Sequence, residues 1–216
     1  TAWAKRLKDR LGNGEGELGE ERFGILADLL RLRQICCDPR LGFENYDGPS
    51  AKLETCIHLV RQGIEGCHRI LLFSQFTSML ELIEKRFCQE KIAYLKLTGE
   101  TSKEERAKLV RRFSEGTEPV FLISLKAGGT GLNLTAADLV IHYDPWWNVA
   151  AQNQATDRTH RIGQERQVTV YQLIAKDTVE ENMLTLQQSK EKLAREVISA
   201  YDGENRLSRK MLLSLL

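Results

Sequence analysis

The chain has 216 residues, 42% hydrophobic and 28% charged, with 31 basic against 30 acidic side chains for a net charge of +1. Such a composition supplies a real apolar core, in one domain with appendages or in two small ones. It excludes a protein that holds nucleic acid through bulk positive charge, so any such contact has to come from a local track, and no apolar run approaches the roughly 20 residues of a membrane helix.

The opening TAWAKRLKDRLGNGEG has no apolar stretch behind its charges, so no signal peptide is expected. Its first residue, Thr1, is what a fragment or a processed chain would show. Residues 1–22 read as the tail of a helix and a loose loop. Gly14, Gly16 and Gly19 have the spacing of a dinucleotide fingerprint, but no strand precedes them and Glu15, Glu17, Glu20 and Glu21 would repel a pyrophosphate. RFGILADLLRLRQICC then carries a helical stripe of Ile25, Leu26, Leu29, Leu30, Leu32 and Ile35, stopped by Pro39 and NYDGPS. Ser50 is placed to cap a second helix, AKLETCIHLVRQGI, closing near Gly63 or Gly66.

From residue 69 the rhythm changes. RILLFS is a short continuous apolar run, followed by the amphipathic helix FTSMLELIEKRFCQE. IAYLKLTG is a second strand, and SKEERAKLVRRFSEG a helix opened by Ser102 with Glu105 three residues on, the pattern of a capping box. PVFLIS and DLVIHYD are the third and fourth strands. Asn148 is placed to cap a helix through VAAQNQATDR, and VTVYQLIA is a fifth strand. TVEENMLTLQQSKEKLAREVISA and SRKMLLSLL close the chain as helices. Apolar strands alternating with helices predict an α/β fold, a parallel sheet covered on both faces. The expected division is residues 1–50 as a helical approach segment and loop, 51–177 as the α/β lobe, and 178–216 as C-terminal helices.

The five cysteines (Cys36, Cys37, Cys56, Cys67, Cys88) show no Cys-x-x-Cys spacing, and His58 and His68 complete no zinc pattern. Buried thiols in a reducing cytosol are expected.

Ligands of open α/β sheets sit at the carboxyl ends of the strands. Those ends here carry Ser74-Gln75, Thr98-Gly99-Glu100-Thr101, SLKAGGTGLN and DPWWN: hydroxyls, amides, bare backbone, a lysine and aromatics. Such groups follow phosphate and sugar without reading bases. AGGTG lacks the Gly-Lys-Ser/Thr of a phosphate loop, and no Asp-Glu pair follows an apolar strand to hold magnesium. Of an ATP site the chain could therefore supply only the far wall. Further on, QATDRTHRIGQER sets Arg158 and Arg161 three residues apart, one helical turn. Spacing alone leaves two readings, a surface pair matched to Asp157 and Glu165 or a clamp for phosphate.

Taken together, ILLFSQF, LTGETS, FLISLKAGGTGLNLTAADLVIHYDPWWN and QATDRTHRIGQ resemble the second RecA-like lobe of superfamily two helicases, specifically the SWI/SNF-type DNA-dependent ATPases. LRQICCDP and TVEENMLTLQQSKEKL are similar to that family's flanking segments, so the resemblance covers roughly residues 22–216. It implies a two-lobe motor that binds ATP with Mg2+ in the cleft between lobes, the phosphate loop and metal ligands lying on a first lobe outside this chain. By the same resemblance Arg158 and Arg161 are arginine fingers, with Asp157 orienting them, and Gln154, Gly129 and Gly131 belong to the ATP side. Ser74, Gln75, Thr98, Gly99, Ser124, Lys126 and Trp147 are implied as contacts to the backbone of double-stranded DNA, while at least one of Trp146 and Trp147 is expected to be structural. The implied partners are duplex DNA, the first lobe of the same polypeptide and a DNA-bound complex as remodelling target, with no membrane. Translocation is expected rather than strand separation.

Val149 stands where the family usually has Pro, and an acid is common near Asn153; both fit helix-start and surface variation. Two rival readings remain at this point: a nucleic-acid-binding module without an ATPase role, against which the arginine pair and Gln154 argue, and a Rossmann-type nucleotide enzyme, which would need a Gly-rich turn where Ser74-Gln75 stands.

Overall fold

The computed structural model describes residues 21–128, 132, 134–146 and 167–197. Three strands, β1 (Ile70–Ser74), β3 (Val120–Ser124) and β4 (Leu139–His142), are buried at every position. Continuous apolar runs of this kind satisfy a strand covered on both faces. With β2 (Tyr94–Leu97) and β5 (Thr169–Gln172) they form one sheet in the order β2-β3-β1-β4-β5. Every pairing is parallel, with Ile70 opposite Val120 and Leu139, Tyr94 opposite Val120, and Leu139 opposite Thr169. This is the parallel α/β sheet expected from the alternating pattern.

The two edge strands depart from the expectation of apolar strands throughout. β2 alternates, burying Leu95 and Leu97 while Tyr94 and Lys96 stay half-exposed, and β5 leaves Thr169, Val170 and Tyr171 exposed. An edge strand has a neighbour on one side only, which is where Lys96 is tolerated.

Helices cover both faces. On one lie α2 (Ala51–Glu65) and α3 (Thr77–Glu90); on the other lies α4 (Lys103–Glu115). Ser50 caps α2, accepting from Leu53 N–H, and the helix closes at Gly66. Gly63 sits inside it at the sheet surface, where a Cβ would stand 2.7 Å from the tip of Leu139 and 2.8 Å from the tip of Ile70, so a larger residue would have to push both side chains aside. α3 meets β2 through Phe87 and Tyr94, rings 5.7 Å apart, and ties to α2 through Arg86 and Glu54. Ser102 caps α4 by accepting from Glu105 N–H at 3.2 Å. Phe113 carries α4 onto Phe121, rings 5.2 Å apart, in a core with Leu71, Phe73, Leu95, Leu97 and Ile123.

α3 ends on Lys91, whose φ of 56° lies in the left-handed region. Ile92 N–H reaches Phe87 O at 2.9 Å and Lys91 N–H reaches Cys88 O at 3.3 Å, the paired bonds of a Schellman ending.

The chain divides into two compact units, one joining the residues up to Asp47 with those from Ala175 on, the other running from Gly48 to Ile174. The first holds α1 (Glu21–Cys37), a short 3-10 turn (Pro39–Leu41) and α6 (Val179–Val197). In α1, Ile25, Leu29 and Leu32 are buried, whereas Leu26 and Leu30 are 45% and 47% exposed, so the inward stripe is narrower than the sequence alone suggests. Cys37 Sγ donates to Glu180 Oε1 at 3.8 Å, and Ala175 N–H donates to Glu180 Oε2 at 2.8 Å, tying α1 to the first turn of α6. Buried Asp38 accepts from Arg40 backbone N–H and twice from its guanidinium, which closes the turn between them. Among the described residues no helix is long and apolar enough to cross a membrane.

Candidate functional site

All five strands run the same way, so the loops that leave them gather along one edge of the sheet. Ser74 and Ser124 end β1 and β3 as register partners, side by side at the middle of that edge. Tyr143 N–H continues the ladder onto Phe73 O at 2.9 Å, which delivers Asp144 beside Ser74.

Ser74 exposes no surface. Its hydroxyl donates to Asp144 Oδ1 at 2.5 Å and accepts from Phe76 N–H at 3.1 Å. Gln75 is half-buried, and its side-chain amide donates to Asp144 Oδ2 at 2.5 Å and to Pro145 O at 3.2 Å. Ser124 is also buried, and its hydroxyl has no hydrogen-bond partner among the described residues. The structure therefore brings Ser74, Gln75 and Ser124 together at the rim, with Ser74 and Ser124 turned inward.

Beyond β2, Thr98 to Thr101 form a tight turn locked by its own hydroxyls. Thr101 Oγ1 accepts from Thr98 N–H at 3.1 Å, and Thr98 Oγ1 accepts from Glu100 N–H at 3.4 Å. Gly99 is exposed at the tip, and a Cβ there would meet nothing within 4 Å. The fold does not require a glycine at this position for space; a bare backbone leaves room for another molecule to come close.

After β3 the glycine-rich stretch begins as one turn of helix, α5 (Leu125–Gly128), where a loop was expected. Leu125 and Ala127 face the core, Lys126 points to solvent, and Arg106 of α4 donates to Ala127 O at 3.4 Å. Alternation of apolar and basic residues over one turn produces this split between anchor and exposed cation. Trp146 packs half-buried against the core cluster, the structural role expected of one of the two tryptophans. Gly129, Gly131, Trp147, Gln154, Arg158 and Arg161 lie outside the described residues, as does Asp157.

Two titratable groups of the same unit are buried. His142 stacks on Phe73, and burial pulls its imidazole down to about 4. Cys56 of α2 is pushed up to about 12 by burial, which makes it an inert thiol rather than a nucleophile. Asp144 is the residue that reading the sequence missed. Its only signal was an acid directly after an apolar strand, at the level of the polar Ser74-Gln75 end of another.

Residues 51–163 match the helicase conserved C-terminal domain. The chain is 40% identical over 221 residues to the putative ATP-dependent helicase/translocase YwqA of Bacillus subtilis, a match covering 96% of this chain and 23% of that protein. Among solved structures it superposes on the Sulfolobus solfataricus SWI2/SNF2 ATPase core in complex with dsDNA, with a TM-score of 0.77 and 32% identity, over 100% of this chain and 46% of that one. The C-terminal domain of the Sulfolobus solfataricus ATPase alone gives a TM-score of 0.76 at 28% identity, over 100% of this chain and 90% of that one. The chain spans between 17% and 23% of the length of the curated bacterial helicases it matches.

Proposed function

The chain belongs to the helicase conserved C-terminal domain family, as the C-terminal RecA-like lobe of a SWI/SNF-type DNA-dependent ATPase, and from that premise we propose that it is one half of an ATP-driven translocase on double-stranded DNA. The observation that carries the proposal is the shared rim. Four strand ends close on one edge of a single sheet, with Gly99 and Lys126 exposed there and Asp144 and Pro145 leaving β4 at the same edge. In this reading Thr98, Gly99, Lys126 and Trp147 follow the phosphate backbone, with Ser74, Gln75 and Ser124 beneath them.

ATP lies in a cleft closed by a first lobe. The chain has no Gly-Lys-Ser/Thr phosphate loop, and among the described residues no cluster of His, Cys, Asp or Glu could hold a metal ion. In this reading the donors for a magnesium–triphosphate complex belong to that first lobe. Gln154, Gly129 and Gly131 line the facing wall. Arg158 and Arg161 meet the terminal phosphate as the lobes close, and stabilise charge that develops only in the transition state. Each cycle of closing and opening shifts the rim along the duplex.

The test compares ATP turnover by this chain and by the full-length protein, each with and without duplex DNA. The proposal expects turnover only from the full-length protein, stimulated by DNA. Robust hydrolysis by the chain alone would refute the shared site. DNA binding by a full-length protein that hydrolyses no ATP would favour a nucleic-acid-binding module.

A further inference from the structure

We propose that Asp144 is a positioning residue whose buried carboxylate latches the loop after β4 to the loop after β1, and so fixes the course of the chain up to Pro145, the segment that precedes Arg158 and Arg161 in sequence. The inference rests on the finger role proposed for those arginines.

Asp144 is 1% exposed, yet its carboxylate gathers donors from two consecutive residues. Ser74 Oγ–H meets Oδ1 at 2.5 Å, Gln75 Nε2–H meets Oδ2 at 2.5 Å, and Gln75 backbone N–H stands 3.3 Å from both oxygens. A carboxylate accepts only, and each of these groups donates. The Ser74 hydroxyl has one proton, and because its oxygen also accepts from Phe76 N–H, its orientation is set from both sides.

Gln75 makes the latch more than a strand-end bond. Its amide holds Asp144 Oδ2 and Pro145 O together, so it grips two successive residues of the departing chain. The second of them has φ held near −65° by its ring. A side chain occupied in this way is not free to follow a phosphate. Asp144 acts through the hold it gives on the chain at Pro145. Fingers are sensitive to such geometry, since a misplacement of about 1 Å can cost roughly 10²-fold in rate.

The test uses the full-length protein with duplex DNA, comparing wild type, Asp144→Asn, Gln75→Ala and the double variant. Asp144→Asn replaces one acceptor with a donor facing the Gln75 amide. It should lower DNA-stimulated kcat by at least about tenfold while the half-saturating DNA concentration stays within about twofold. Gln75→Ala should lower kcat in the same way, and the double variant should be no slower than Asp144→Asn alone, because both cut one latch. Losses that multiply in the double variant, or a Gln75→Ala defect that appears in the DNA concentration dependence, would overturn the proposal. If Asp144→Asn does not fold, Ser74→Ala and Gln75→Ala form the same cycle on the two donors, with the same decisive outcomes. Hydrogen exchange adds a readout independent of ATP. Peptides after Pro145 should exchange at least about tenfold faster in Asp144→Asn, or in Ser74→Ala/Gln75→Ala, than in wild type. Unchanged exchange would refute the latch. A wild type without DNA-stimulated turnover would instead refute the finger reading, and exchange would still decide whether Asp144 holds the loop.

Discussion

Phe73 of β1 and His142 of β4 are register partners, and their rings stack 5.4 Å apart with planes 19° from parallel. The stack lies in the buried middle of the sheet, where a charged imidazole is disfavoured, hence its pull down to about 4.

That shift makes His142 an acid sensor of stability. The folded form resists protonation that the unfolded chain accepts near pH 6.5, so the stabilising contribution is whole above that pH and is lost as pH falls toward 4. His142→Phe keeps a stacking ring and removes the proton site. Plotted against pH, its stability relative to wild type should rise by up to about 3 kcal/mol between pH 7 and pH 4. Denaturant unfolding at several pH values reads this directly, and parallel curves for the two proteins would refute it.

Gly99 separates fold from function at the rim. Because a Cβ there meets nothing, Gly99→Ala should leave thermal stability nearly unchanged. If duplex DNA approaches this backbone closely, the same methyl should weaken DNA binding by about threefold or more. Thermal melting and a DNA titration on the full-length protein give the two halves of the answer, and intact affinity would move the contact away from Gly99.

Lys126 is an exposed cation on an anchored turn of helix, suited to a phosphate. Lys126→Ala should lower affinity alike for all duplex sequences and reduce the slope of log affinity against log salt by about 1. A loss confined to one sequence would contradict backbone tracking. This chain alone, with net charge +1, should bind duplex no tighter than about 10⁻⁴ M near physiological salt.

For the arginines, rate and stability point in opposite directions. Arg161→Ala in the full-length protein should abolish DNA-stimulated turnover, a loss of roughly 10³-fold or more, while ATP affinity and melting temperature hold. Arg158→Ala should behave similarly with a larger effect on ATP affinity. A variant that melts many degrees lower but keeps its turnover at low temperature would make the arginine a strut, since breaking a buried ion pair costs about 3–5 kcal/mol.

Lys91 offers a check on the fold alone. Its left-handed φ of 56° in a Schellman ending suits glycine better than a residue with a Cβ. Lys91→Gly should stabilise the protein by about 0.5–1 kcal/mol, or about 2 °C in Tm. A lower Tm would mean that the Lys91 side chain contributes more than its backbone costs.

How much was legible in the sequence depends on the range of the forces involved. ILLF, VFLI and LVI are short apolar runs, too short for a helix and suited to a strand buried on both faces, so the central sheet could be read directly. Ser50 and Ser102 marked their helices because a cap is a bond within three residues. Lys96 did not reveal β2 as an edge, since position in a sheet is settled by distant strands. Leu26 and Leu30 fit the helical period yet point outward, because period says which residues share a stripe and not how wide its cover is. At the site, glycines and hydroxyls after strands flagged the rim, whereas the inward turn of Ser74 depends on Asp144, seventy residues away in sequence. The union of the residues up to Asp47 with those from Ala175 on is likewise a long-range fact that no local pattern carries.

The strand order has a consequence for how the molecule comes into being. β1 never pairs with β2, its successor along the chain; both its hydrogen-bonding edges wait for β3 and β4. During synthesis, ILLFS emerges well before residue 120 exists, an apolar strand with neither partner available. Until then α2 and α3 are the shelter at hand, and the close seat of Gly63 against Ile70 shows how near α2 comes to that strand. A growing chain halted between residues 90 and 120 would leave this strand open to association with others like it. The vulnerable period of this protein thus belongs to its birth, before any DNA or nucleotide is in question.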